Sequence, residues 1–198
     1  IFISIYAKQF WAKRMKDVVQ RLKSNIPVKI DSNLSLRVMA EKDITDAYVN
    51  WLNDDEVVQY TEQRFRHTSA GDVSAFIDRM AVDPTQLMYG IFYNNQHIGN
   101  IKLGNINSQH QTANLSYLIG AREFWGKGLA SLAIETITEI GFQQIGLMKI
   151  CAGVYENNIA SSKVLVKNGY SLEGRRKGQY VYKNSRIDAL LYAKHKGT

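Results

Sequence analysis

Residues 122–131 read Arg-Glu-Phe-Trp-Gly-Lys-Gly-Leu-Ala-Ser. Two glycines flank a lysine, and the run that follows, Leu129–Gln144, carries apolar residues at helical spacing. Just upstream, "NLSYLIG" (114–120) reads as a strand. The stretch therefore joins a strand to the start of a helix. The first N–H groups of a helix have no intrahelical acceptor, and the helix dipole is positive there, so such a junction attracts an anion. Gly126 and Gly128 lack side chains and let a phosphate approach the backbone. Lys127 adds a positive charge or simply points to water. The stretch is not a Walker A loop, because Ala121 stands where that motif needs glycine and Gly128 where it needs Ser or Thr. It is not the dinucleotide fingerprint either, since the third glycine is missing. A tight connection with no ligand is the competing reading.

Working outward, "LSLRVM" (34–39) alternates as a strand, and residues 41–54 read as a helix with acidic residues in its first turn. A helix over 69–80 begins with Ser69 and Asp72 at capping-box spacing. Two strand-like runs, "LMYGIFY" and "QHIGNIKL", meet at Asn94-Asn95, a hairpin turn. Beyond the glycine loop and its helix come a strand, "KICAGVY" (149–155), and a short helix over 158–168 closed by Gly169. Two last strands, near 170–182 and 186–194, turn at Lys183-Asn184. This order predicts an α/β (α+β) fold, a mixed sheet with helices on its faces.

The 198 residues suit one domain, and 45% hydrophobic with 22% charged residues fits a soluble globular protein. No apolar run is long enough to span a bilayer. The opening "IFISIYA" lacks a basic n-region and a cleavage site, so no signal peptide is expected. Of the net charge of +7, residues 1–24 carry +5, from six basic residues against Asp17. The remaining chain is nearly balanced, which argues against a nucleic-acid-binding core. Residues 8–24 read as an amphipathic helix with Trp11, Met15, Val18, Val19 and Leu22 on one face. That face packs on its own domain or a second subunit, giving a homodimer, or lies on an anionic membrane surface. The division expected is an N-terminal helix over 1–27 and a domain over 28–198. The single cysteine, Cys151, allows no intrachain disulfide, suits a cytoplasmic setting and reads as a small buried hydrophobe.

The strand, loop and helix over 114–144 resemble the acetyl-CoA motif of the GNAT N-acetyltransferase superfamily, and "YENNIASSKVLVKNGY" resembles its second signature, with Asn158, Gly169 and Tyr170 at the key places. The resemblance covers about residues 34–194. "FWGKGLAS", Asn158-x-x-Ser161 and "KNGYSLEGRR" look most like the branch of ribosomal-protein N-terminal acetyltransferases and amino-sugar acetyltransferases; "HIGNIKLGNI" followed by "YLIG" looks closer to the sugar-modifying members. What this implies is a GNAT fold with a sheet of about six to seven strands. The cofactor implied is acetyl-CoA as co-substrate, with no metal. The reaction implied is direct acetyl transfer to a low-pKa amine, with an amino-sugar nucleotide ahead of a protein N-terminus and of non-catalytic CoA binding. Two departures are visible. Glu123, with Arg122 beside it, stands where the family often has Gln or Arg, and Leu165 stands where many members carry a tyrosine acid.

Carried residue by residue, the resemblance implies that acetyl-CoA is bound by Leu118, Ile119 and Gly120 on the strand edge, by Phe124, Trp125, Gly126, Lys127, Gly128, Leu129, Ala130 and Ser131 in the loop and helix start, and by Asn158 and Ser161. Acyl transfer from a thioester needs a neutral amine, a polarised carbonyl and a proton or hydrogen bond for the departing sulfur. Ser161 is the candidate for the last role, against a plain helix-face hydroxyl, and Asn158 for the pantetheine arm, against a plain N-cap. For the base, Glu62 is placed first, with His67, Glu173 and Asp188 as alternatives. His97 is expected to be structural, and His110 and His195 solvated.

Overall fold

A computed structural model describes residues 5–23 and 26–197, with side chains of the first helix from residue 12 onward. The elements in chain order are α1 (Ile5–Leu22), β1 (Val28–Lys29), β2 (Leu34–Arg37), α2 (Asp46–Leu52), α3 (Asp55–Val58), α4 (Ala70–Val82), β3 (Leu87–Tyr93), β4 (Gln96–Asn107), β5 (Thr112–Ile119), α5 (Leu129–Glu139), β6 (Lys149–Tyr155), α6 (Ile159–Lys167), β7 (Ser171–Tyr182) and β8 (Ser185–His195). The strands form one mixed sheet in the order β1-β2-β3-β4-β5-β6-β8-β7. The eighth strand, beyond the six or seven expected, is the two-residue β1.

Alternation along the strands sorts the core onto two faces. Leu87, Tyr89 and Ile91 of β3, Ile101 and Leu103 of β4, and Ala113 and Leu115 of β5 bury against Ala133, Ile134 and Ile137 of α5. On the other face Phe92 packs with Met39, Tyr48 of α2 and Val73 and Ile77 of α4. The turns are those the asparagines dictate: Asn94 and Asn95 take φ of 48° and 64°, and Lys183 and Asn184 take 45° and 63°. The helix expected over 41–54 is broken in two, and a further short helix, α3, follows it. Residues 41–43 make a 3-10 turn, Thr45 caps α2, and Asp54 caps α3 by accepting from the amides of Glu56 and Val57. Acidic and hydroxyl side chains at these positions bond the backbone locally and start a new helix each time. After Glu139 the α5 helix widens into a π turn through Ile145 and ends at Gly146.

The N-terminal helix is packed on its own domain. Met15 and Val19 are 2% and 0% exposed and belong to the α5-side core. Two hydrogen-bond sets secure its end: Tyr89 Oη donates to the Leu22 carbonyl at 2.8 Å. Lys23 Nζ donates to the carbonyls of Met80, Ala81 and Asp83 at 2.8, 3.1 and 2.5 Å, capping the C-terminus of α4. The side chain of Trp11 lies outside the described residues. No helix among the described residues is long and apolar enough to cross a membrane.

Candidate active site

The strands β5 and β6 run parallel but pair over only three residues, ending at Asn114–Cys151. Beyond that rung the two strands have no pairing, and β5 keeps only its β4 neighbour, which it follows to Ile119. The hydrogen-bond ladder shows which backbone groups face the gap. Gly120 donates to the Ile98 carbonyl at 2.9 Å, toward β4. Successive residues of an antiparallel strand alternate in direction, so Leu118 also faces β4, while Tyr117 and Ile119 face the gap. The Ile119 carbonyl is taken by Trp125 Nε1 at 2.8 Å. What is left open at the strand edge is the N–H of Ile119 and both backbone groups of Tyr117. Of the three strand residues implied by the resemblance, then, only Ile119 can offer its amide. The amide of Gly120 is occupied, that of Leu118 points away, and a Cβ at Gly120 would lie 2.2 Å from the Trp51 ring.

The glycine loop leads from this edge into α5. Gly126 and Gly128 take φ of 72° and 79°, in the left-handed region, and Gly128 occupies the N-cap with no side chain to close it. A Cβ at either position would meet nothing within 4 Å, so the space above the loop is open. Among the described residues the amides of Gly126 through Ala130 reach no protein acceptor. Such a cradle of unpaired N–H groups under open space fits a diphosphate. Lys127 has its ammonium 5.1 Å from the centre of the Phe124 ring, so the lysine between two glycines folds back over the loop's own aromatic. Arg122 is turned away: it pairs with Asp54 and Glu56. Ser131 faces inward, 8% exposed, with its amide bonded to the Gly128 carbonyl and its Oγ accepting from Asn168 Nδ2 at 2.9 Å. Its hydroxyl ties α5 to α6 instead of facing the cradle. Leu129 likewise buries its side chain and offers only its amide.

Across the gap stands α6. Asn158 caps it, accepting from Ser161 N at 3.1 Å. Ser161 Oγ lies 2.6 Å from the hydroxyl of Tyr117, which comes from β5. Burial pushes the Tyr117 phenol above its usual value, and the Ser161 bond partly opposes this. Leu165, at the family's tyrosine position, is fully buried. Tyr117 is the residue sequence reading missed. The signal was present in "NLSYLIG": position 117 shares the face of Leu115, which looks toward α5 and α6.

On the opposite face, β4 and β5 floor a cavity of about 440 Å³, walled by α2, α4 and residues 61–68 and reaching Ser116, Tyr117 and Leu118. Of the four candidate bases, only His67 lines it. Glu62 accepts from Tyr155 Oη at 2.7 Å, at the end of β6, where Tyr155 stacks on Tyr180. Glu173 is held by Lys149 and His195, and Asp188 accepts from Arg175 and Gly178 N. His195 is thus exposed but paired, and His110 is exposed. His97 is half-buried among Tyr48, Trp51 and Phe92, with Nε2 2.9 Å from the Gly99 carbonyl, and desolvation lowers its pKa. Cys151 is half-buried on β6, and its thiol is likewise pushed up by burial.

Residues 33–171 match the model of the acetyltransferase (GNAT) domain. The chain belongs to this family. It is an acetyl-CoA-dependent N-acetyltransferase domain, and its relatives are named acetyltransferases. "Uncharacterized N-acetyltransferase YoaA" of Bacillus subtilis is 37% identical over 44% of this chain, and the match spans 48% of that relative. The ribosomal-protein-serine acetyltransferase of Escherichia coli is 26% identical over 84% of this chain and 95% of its own length. The spermidine N(1)-acetyltransferase of the same organism is 26% identical over 72% and 75%. Among solved structures, the microcin C7 self-immunity acetyltransferase MccE, in complex with acetyl-CoA and AMP, shares the GNAT fold, with a TM-score of 0.76 at 21% identity over 88% of this chain and 98% of that one.

Proposed function

We propose that the chain transfers an acetyl group to a primary amine of low pKa by direct attack in a ternary complex. The observation that carries this is the gap between β5 and β6, bounded by an open amide edge on one side and the Tyr117–Ser161 pair on the other. Acetyl-CoA supplies the acyl group, its C–S bond breaks as the amine's C–N bond forms, and CoA leaves as a thiol. The amides of residues 126–130 hold its diphosphate, and the N–H groups of Tyr117 and Ile119 line the edge where a carbonyl oxygen gains charge. Ser161 donates toward the departing sulfur and is itself supplied by the Tyr117 hydroxyl. The amine enters from the cavity on the α2/α4 face, with His67 on its wall and Glu62 on the same loop as the two candidate bases.

The acceptor class follows from the weak provision for a base. An α-amine titrates near about 7.8 and a lysine near about 10.4, so about one in seven of the former but one in 2,500 of the latter is neutral at pH 7. An amine beside electron-withdrawing sugar oxygens falls on the favourable side, and the resemblance of "HIGNIKLGNI" to the sugar-modifying members favours an amino-sugar nucleotide as the acceptor. A protein N-terminus is the second reading, supported by similarity to the ribosomal-protein-serine enzyme over most of its length. Comparing kcat/KM for amino-sugar nucleotides, N-terminal peptides and lysine peptides tests both. Preference for lysine peptides would overturn the low-pKa class.

A further inference from the structure

The acceptor cavity is lined by three cationic side chains, Arg66, Arg79 and Lys102, against one carboxylate. Lys102 of β4 sits opposite Ser116 in the sheet register and is half-buried on the cavity wall. Its ammonium and the guanidinium of Arg79 flank the Phe76 ring, 5.9 and 5.6 Å from its centre. Among the described residues neither makes an ion pair. Asp83, the acid whose field Lys102 feels, is bonded to the amide and hydroxyl of Thr85. The Arg66 guanidinium donates to the Gln63 side chain, at 3.0 and 2.8 Å, and makes no ion pair among the described residues. Among the described residues the lining holds one carboxylate, Asp72, which caps α4 by accepting from Ser69 N at 2.8 Å and Ser69 Oγ at 2.6 Å and keeps its charge in the field of Arg66 and His67.

Desolvating an unpaired ammonium is costly, and a bound anion removes that cost. We propose that the cavity takes a small amine that also bears a phosphate, held by Lys102 and Arg79 with Arg66 beside them. The amine half of this statement rests on the acetyl-transfer reading above; the phosphate half does not. A volume of about 440 Å³ lies within the range of small-molecule sites. A polyamine has the wrong sign for three cations facing one carboxylate.

The test is calorimetry on the full chain in the presence of CoA, with glucosamine 6-phosphate against glucosamine. The phosphorylated amine is expected to bind at least tenfold tighter, with the advantage shrinking as salt rises and falling toward unity in Lys102→Gln. Arg79→Gln, at an exposed site, should lose part of it and decides the matter if Lys102→Gln does not fold. Equal affinities, an advantage that survives in both variants, or tighter binding of spermidine or of an acidic N-terminal peptide would overturn the proposal. Thiol release from acetyl-CoA separates the two claims. A phosphate preference in binding without thiol release from any amine sinks the transfer reading and leaves the anion site standing; thiol release without a phosphate preference does the reverse.

Discussion

The hydroxyl of Tyr117 lies 2.6 Å from Ser161 Oγ, joining β5 to the first turn of α6 across the gap where β5 and β6 part. A serine hydroxyl alone is a weak acid, whereas a half-buried phenol kept protonated through the neutral range can resupply it. Ser161→Ala is expected to lower kcat by about 10²-fold, the lower range for acid–base contributions. Tyr117→Phe should lower it by about tenfold, and the double variant should be no worse than Ser161→Ala, because groups acting as one unit are not additive. Acetyl-CoA affinity should be unchanged in all three. Independent, multiplying losses in rapid-quench measurements would show that the two hydroxyls do not act together.

Gly128 holds the entrance to α5 at φ 79° with open space above it. Gly128→Val both strains the backbone, by about 1–2 kcal/mol, and fills the cradle. Acetyl-CoA binding should weaken by more than tenfold while the melting temperature falls only modestly. An unchanged dissociation constant would remove the diphosphate from this loop.

The N-terminal helix contributes Met15 and Val19 to the main core and Lys23 to the end of α4. Deleting residues 1–26 should therefore leave every site residue in place but make the domain markedly less stable. Met15→Ala alone should cost about 2–5 kcal/mol in denaturant unfolding, the usual range for emptying a buried methionine site. Acetyl-CoA should still bind the truncated chain at low temperature. A truncated chain as stable as the full one would assign the helix to another surface.

Arg37 holds Asp43 through two bonds of 2.7 Å, and the Ala40 amide adds a third at 2.8 Å. Burial raises the Asp43 pKa, but these bonds outweigh it and the net shift is downward. In the unfolded chain the carboxyl takes its proton first as pH falls, near about 3.9. The stabilisation is thus complete above that value and is lost as pH drops through the lower folded one. Asp43→Asn should destabilise the protein at pH 7, by about 3–5 kcal/mol because Arg37 is left half-buried without its partner. The gap between variant and parent should begin to narrow as pH falls below about 3.9. A constant gap across that range would mean the pair does not titrate with folding.

Much of the fold and half of the site could be read directly from the chain, because they depend on local chemistry. The turns at Asn94-Asn95 and Lys183-Asn184, the Ser69–Asp72 cap, the Asn158 cap and the glycine cradle are each set by a few neighbouring residues whose side chains or φ values leave little choice. The breaks in residues 41–58 are local too, but the caps at Thr45 and Asp54 were hidden inside a run that also fits a helix. What the sequence could not settle lies between segments distant in the chain. Tyr117 meets Ser161 only because β5 and β6 separate after one short ladder, and strand separation is a property of the sheet. Leu118 and Gly120 lose their expected role because the β4 register turns their amides the other way. Lys102 becomes a cavity group only when α4 closes over the same face, leaving its charge partly desolvated and unpaired. Local sequence determined which atoms could serve, and register and packing decided which of them face the reaction.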